Sequence, residues 1–450
     1  VAAIDLRPYQ APVPDRLRAR YRAGAHRLLL VAPTGSGKTV MAGSLVLSAR
    51  SKARRVLFVA HRHELLDQPR RLLQGCGLRV GIVKAGVRPD PEAPVQIASI
   101  QTLARRGDLP PADLVIVDEA HRAAAASYAH LRHYPAWLGL TATPWRLDGQ
   151  GLGEQFDELI EVARPSQLVA DGWILDPRVF APAAPAMPAR ARDYTRAELS
   201  DAMDRGDLIG DVVTHWQRHA AGRPTVCFAS TIRHSLHLVE RFISADIFAE
   251  HIDGTTPAAV RADILERLAT GVTKIVSNVD IITEGFDLPA LSCAIVARPT
   301  TSLTKHLQMC GRIVRPDEGK VDCVLLDHAG NSLRHGLPCE DHQWTLDGRE
   351  KRGRTDAVRV CSYCFAANPP RKKNCIECGE PFPVHAEPRR LKRERSGELA
   401  ERRRERRRAE PLHRKQIAFR QLLLIAEQKG RHPGWAVHVY RGRYGEEPPR

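Results

Sequence analysis

Aromatic residues make up only 5% of this 450-residue chain, too few for an extended base-stacking surface. No run of about 18 apolar residues occurs, which excludes a conventional membrane-spanning helix. The opening residues, VAAIDLRPYQ, lack a basic stretch followed by an apolar core, so no secretory signal is expected there. Cysteine is scarce: six of the ten are scattered singly, at Cys76, Cys227, Cys293, Cys310, Cys323 and Cys339. That is no disulfide framework, and it fits a reducing, cytoplasmic setting.

What is present is 43% hydrophobic residues, enough to build real cores. At roughly 100–200 residues per domain, the length accommodates two to four domains. The charge is positive and uneven. Lys and Arg number 68 against 52 Asp and Glu, a formal +16. Residues 1–340 hold 41 basic and 37 acidic groups (+4), while residues 341–450 hold 27 and 15 (+12). The tail therefore carries most of the excess.

Short apolar runs alternate with helix-length segments through the first third: RLLLVA (27–32), RVLFVA (55–60), VQIASI (95–100), LVIVDE (114–119) and WLGLTAT (137–143). They read as strands buried on both faces, joined by crossover helices into a parallel sheet. A second set follows: TVCFAS (225–230), KIVSNV (274–279), CAIVAR (293–298) and DCVLLD (322–327). Between the sets, 178–193 is rich in Ala, Pro and Arg and reads as a surface connection or a small extension, not a core. The expected fold is α/β, with parallel-sheet domains at 1–165 and 205–340 and a linker at 166–204.

The first strand runs into APTGSGKT, Ala32 to Thr39. This is the phosphate-loop pattern with Ala32 in place of its first glycine. Thr34, Gly35, Ser36 and Gly37 form a turn whose backbone N–H groups can face phosphate oxygens. Lys38 can reach the terminal phosphates, and Thr39 can ligate Mg²⁺. LVIVDEAH places Asp118 and Glu119 at the C-terminal end of a strand, the ligand-binding edge of a parallel sheet. Asp118 is suited to holding Mg²⁺ and Glu119 to activating the attacking water.

With DEAH at 118–121, the chain resembles superfamily 2 helicases and translocases of the DEAD/DEAH-box group. More motifs follow in the family's order. LRPYQ at 6–10 resembles the adenine-reading segment, which implies nucleotide contacts for Arg7 and Gln10. VAHRHEL (59–65) and ASIQTL (98–103) resemble strand-contacting motifs, and LTATP (140–144) the motif coupling hydrolysis to domain movement. FASTIRHS (228–235), TEGFDLP (283–289) and QMCGRIVRP (308–316) match the second-domain motifs. The resemblance covers about residues 5–335. It implies two RecA-like domains with ATP between them. Gln308, Arg312 and Arg315 would face the γ-phosphate, and Gly285 and Asp287 would sense nucleotide. Strand contacts would come from His61, Arg62, Ser99, Gln101 and Thr102, and from Thr231, Arg233 and Thr283.

Cys361-x2-Cys364 and Cys375-x2-Cys378, ten residues apart, form a tetrahedral Zn²⁺ pattern. The segment, at 355–383, resembles a zinc ribbon; with Asn368 it also resembles the Ran-binding-protein type of zinc finger, without that finger's leading Trp. Arg371, Lys372 and Lys373 between the pairs suit a nucleic-acid face. The remainder, 386–450, reads as a basic helical tail. It holds eleven basic groups within 389–408 and an amphipathic helix at 417–430, ending on an aromatic segment.

The reading is an ATP-dependent, Mg²⁺-using DNA helicase or translocase acting on duplex or branched DNA. The motif style resembles the branch containing UvrB, XPB and type I restriction translocases. An RNA helicase or remodeller, and a nonenzymatic nucleic-acid scaffold, are the alternatives.

Overall fold

The computed structural model describes residues 4–61, 64–106, 109–182, 187, 193–204, 206–282, 288–348, 358–382, 412–428, 432–444 and 447–449. The Arg-rich run at 389–408 and the residues Arg62, Thr283, Gly285 and Asp287 lie outside them.

The first set of apolar runs forms β1 (Arg27–Val31), β2 (Val56–Ala60), β4 (Val95–Ser99), β5 (Leu114–Asp118) and β6 (Trp137–Thr141). Two short strands that their sequence does not announce complete the sheet, β3 (Val80–Val83) and β7 (Glu158–Glu161). Among the described residues the sheet has seven strands, in the order β3-β4-β2-β5-β6-β1-β7, all parallel. Val31 pairs with Thr141 and Leu140 with Asp118. The ends of β1, β6 and β5 are therefore level, and the loops they feed emerge side by side.

The second sheet contains β8 (Arg178–Phe180), β9 (Thr225–Ala229), β10 (Ala249–Ile252), β11 (Ile275–Asn278), β12 (Cys293–Ala297) and β13 (Val324–Asp327). Its order is β10-β11-β9-β12-β13-β8, again parallel throughout. β8 corrects the reading of 178–193 as surface connection. Val179 and Phe180 are buried, and three residues pair with Val324–Leu326. The surrounding prolines mask a strand too short to show an alternating pattern.

The Cys-bearing segment is joined to this edge. Its two-stranded hairpin pairs Arg359–Val360 with Ala367–Asn368. Phe180 bridges to Ala366, and Ala181 N–H donates to the Phe365 carbonyl at 2.9 Å. Arg178 grips Glu377, Nη2 to Oε2 at 2.6 Å. Cys361, Cys364 and Cys375 share an apolar cluster with Phe180, Trp216 and Phe242. The helix expected at 417–430 runs Leu412–Gln428; the aromatic end is a second helix, Gly434–Tyr444. Leu422, Ala426, Ala436 and Tyr440 bring both helices into that same cluster. No helix among the described residues is long and apolar enough to cross a membrane.

Three histidines in this half are held neutral, His328 by deep burial beside His215. His234 Nδ1 accepts the Ser230 N–H at 3.3 Å, and burial lowers its pKa to about 4 against the pull of Asp204. His219 stacks on Phe180 with ring centroids 3.9 Å apart, and burial beside Arg218 also lowers it to about 4. Folded protein binds fewer protons than unfolded chain between about pH 6.5 and 4, so stability falls as pH drops through that window. We expect urea midpoints to decline from pH 7 to 4.5, with His234→Gln flattening the decline; an identical slope in the variant would exclude His234 as a source.

Candidate functional site

The cleft lies between the two sheets, where the loops after β1 and β5 face the second domain. Gly35 and Gly37 have φ of +87° and +78°, left-handed values that glycine adopts without a Cβ clash. Gly37 caps α2 (Lys38–Arg50), so the loop delivers Lys38 and Thr39 at a helix start. Lys38 Nζ donates to the carbonyls of Ala32 (3.2 Å) and Pro33 (3.4 Å). Burial lowers the Lys38 pKa; Glu119 and Asp118 oppose the shift, and Arg315 and Arg312 add to it. Five charges from three segments therefore share one electrostatic neighbourhood.

Glu119 is buried and has φ of +50°, a costly conformation for a residue with a Cβ. The Asp118 carboxylate accepts the Glu119 N–H at 3.0 Å, which supports the turn. From the second domain, α10 (Leu303–Cys310) carries Gln308, whose Nε2 donates to Glu119 Oε2 at 3.4 Å. His121 Nδ1 lies 3.3 Å from the same oxygen. Past the helix end, Arg312 and Arg315 complete the wall. Thr34, Gly35, Gly37, Lys38, Thr39, Asp118 and Glu119 line one side; Gln308, Arg312 and Arg315 line the other. The cavity, about 290 Å³ and open to solvent at its mouth, is near the lower end of the size of small-molecule clefts.

Close approach sets this geometry. A Cβ on Gly311 would collide with the Thr34 side chain, so glycine at 311 lets the second domain meet the phosphate loop directly. Beside it, Thr143 Oγ1 donates to Thr304 Oγ1 at 2.9 Å, and Thr304 Oγ1 donates to the Trp145 carbonyl at 3.2 Å. The segment after the second sheet then returns to the first domain. Trp344 meets Trp145 edge-on at 4.7 Å, and Trp145 Nε1 donates to the Thr345 carbonyl at 3.0 Å.

Gln10 sits against the phosphate loop. It is buried, its Nε2 donates to the Ser36 carbonyl at 2.7 Å, and its Oε1 accepts the Arg7 N–H at 3.0 Å. It braces the phosphate loop from behind, while Arg7 lines the cleft with its guanidinium 4.8 Å over Trp173. Ser36 is buried behind the loop too. Of the strand-contact candidates, Ser99 and Thr102 are buried. Gln101 is exposed and donates to the His61 carbonyl at 2.6 Å. Thr231 caps α8 (Ile232–Ser244), and exposed Arg233 pairs with Asp204 at 3.0 Å. Thr304, Trp145 and Trp173 were not anticipated; only Trp145, directly after LTATP, had a signal in its position.

The cysteines form the second candidate site. Their four sulfurs all lie within 4.8 Å of one another, with Cys361–Cys378 at 3.7 Å and Cys364–Cys375 at 3.6 Å. A tetrahedron with Zn–S bonds of about 2.3 Å has sulfurs about 3.8 Å apart, so the set fits a metal of that size. Asn368 Nδ2 donates to the Cys375 sulfur at 3.6 Å while its Oδ1 accepts the Ile376 N–H at 2.8 Å, the outer support metal ligands favour.

Comparison with known proteins agrees with this layout. The family described as "Type III restriction enzyme, res subunit" matches residues 3–146, and "Helicase conserved C-terminal domain" matches 207–317. A 51.5 kDa protein of a Lactococcus phage (isolate 7-9) is 31% identical over 83% of this chain and 82% of its own length. The chain belongs to helicase superfamily 2. Its paired domains are the ATP-hydrolysing architecture of that superfamily, whose work is ATP-dependent and nucleic-acid-stimulated, and they imply use of ATP and Mg²⁺. A Saccharomyces cerevisiae protein provisionally named ATP-dependent helicase IRC3 is 29% identical over 73% of this chain. The chain spans only 52% of that relative. In fold, it is similar to the type ISP restriction-modification enzyme LlaBIII, with TM-score 0.57, 19% identity and coverage of 73% of this chain and 28% of that one.

For this superfamily 2 protein we expect metal analysis to find about one Zn²⁺ per chain. Cys364→Ser should lose it and lower the melting temperature, because that cluster is continuous with the second core. Metal loss without a change in melting would separate the module from the core.

Proposed function

We propose that the protein is an ATP-driven DNA translocase or helicase, with motor domains at about 1–165 and 205–340. The cross-cleft hydrogen bond from Gln308 to Glu119 carries this reading. It puts a second-domain side chain on the carboxylate best placed to activate water, beside Lys38, Arg312 and Arg315. In this reading Thr34–Gly37 cradle the phosphates and Lys38 holds the terminal ones. Thr39 and Asp118 would hold Mg²⁺, which neutralises phosphate charge when bound. Glu119 accepts the proton of the attacking water. Arg312 and Arg315 stabilise charge developing on the transferred phosphoryl group, a contribution of about 10³–10⁵ in rate for such arginines. Gly285 and Asp287 would report nucleotide state. Because catalysis needs both walls, hydrolysis and domain separation are linked.

DNA as the track is supported by relatives. LlaBIII is described bound to DNA, and UvrABC system protein B of Thermotoga neapolitana is 29% identical over 137 residues, 29% of this chain and 20% of its own length. Gln101 and Arg233 are the exposed candidates for backbone contacts, which position without reading sequence. Zinc in the Cys361, Cys364, Cys375 and Cys378 set would rigidify the sheet edge. Ten unpaired cysteines accord with a reducing, cytoplasmic setting.

Lys38→Ala and Glu119→Gln should each abolish ATP turnover with circular dichroism unchanged; retained turnover in either would refute the site. Duplex DNA should stimulate the wild-type ATPase, less so as salt rises. Stimulation by RNA alone would assign the motor to the RNA branch.

A further inference from the structure

The turn after the second arginine carries a lysine with an unusual set of partners. Lys320 Nζ donates to four backbone carbonyls: Pro289 at 3.0 Å, Leu291 at 2.5 Å, Ile313 at 2.7 Å and Arg315 at 2.7 Å. An ammonium has three N–H groups and accepts nothing, so these carbonyls surround it as they would a bound cation. Two belong to the segment bearing Arg312 and Arg315. The other two belong to a separate stretch, and its Pro289 lines the cleft together with both arginines.

The local chain explains how the side chain gets there. Pro316 to Gly319 form an exposed turn, Gly319 has φ of +74°, and Lys320 N–H donates to the Asp317 carbonyl at 3.1 Å. The reversal sends the lysine back beneath Arg315. Burial lowers the ammonium to about 8, with Cys323 and Asp317 opposing and Arg315 and Arg223 adding to the shift. It is therefore charged at neutral pH.

We propose that Lys320 is a positioning residue for Arg315, fastening the Ile313–Arg315 backbone to the Pro289–Leu291 backbone so that the Arg315 guanidinium stands at the height the γ-phosphate needs. This rests on the ATP-site reading above. Removing the clamp leaves four carbonyls without their shared donor and frees the arginine segment from its neighbour. A displacement of about 1 Å at such a group costs on the order of 100-fold in rate, while nucleotide binding by the phosphate loop is untouched.

The test uses the full chain and nucleic-acid-stimulated ATPase, with Lys320→Met, Arg315→Ala and the double variant. We expect Lys320→Met to lower kcat about 10–100-fold with KM for ATP little changed. The double variant should be no slower than Arg315→Ala, because a residue acting through another adds nothing once that other is gone. Unchanged kcat in Lys320→Met, a rise in KM alone, or losses that multiply in the double variant would each overturn the proposal. Wild-type turnover in Arg315→Ala would instead refute the arginine assignment, a distinguishable result. If Lys320→Met fails to fold, Lys320→Gln, which keeps two N–H donors without the charge, enters the same cycle and is read by the same criteria.

Discussion

The backbone of Gly311 against the side chain of Thr34 is the approach on which the cleft depends. With any larger residue at 311 the arginine-bearing segment would stand off the phosphate loop, and Gln308 would not reach Glu119. Around this contact the domains are joined by single bonds from separate segments: Gln308 to Glu119, Thr143 to Thr304, and Leu175 N–H to the Val314 carbonyl at 2.7 Å. Each such bond contributes about 1 kcal/mol net. A sum of modest contacts suits domains that must part and rejoin, and none of them interrupts either sheet.

The returning segment adds a different kind of joint. Trp344 and Leu346 pack at the core of the first domain although they follow the second domain in sequence. A Cβ on Gly151 would collide with the Leu346 backbone, so this packing is tight. The chain thus crosses between domains near 166–175 and again near 337–346. Two crossings limit how far the halves can separate and place Trp145, next to LTATP, under direct contact from the second crossing.

At the far edge, the cysteine module solves a problem common to open sheets. β8 is a short edge strand, and an uncovered edge invites pairing with other chains. The hairpin and the Arg178–Glu377 pair cover it, and the two C-terminal helices join the apolar cluster behind. The ribbon is therefore a fixed part of the second domain's surface, not a loosely attached appendage. The charge of +12 belongs to residues 341–450, the stretch that contains this module.

The motifs and most central strands were legible from residues alone. Strands buried on both faces produce unmistakable apolar runs, and phosphate-binding loops require glycine and lysine at fixed spacing. Edge strands such as β3, β7 and β8 were not legible, because a strand paired on one side only need not be the fully buried apolar run that marks a central one. The bond from Gln10 to the Ser36 carbonyl was not legible either: sequence names a side chain able to bond an adenine but not the neighbour it meets in the fold. Sequence by itself determined the superfamily, the order of the strands along the chain and the candidate chemistry, since those rest on local spacing. Only tertiary structure decided that Glu119 meets Gln308 and that Gly311 must be small. It also decided that Lys320 gathers carbonyls from two segments and that four cysteines cap a sheet edge. These are contacts between residues distant in sequence, and distance through space is set by packing.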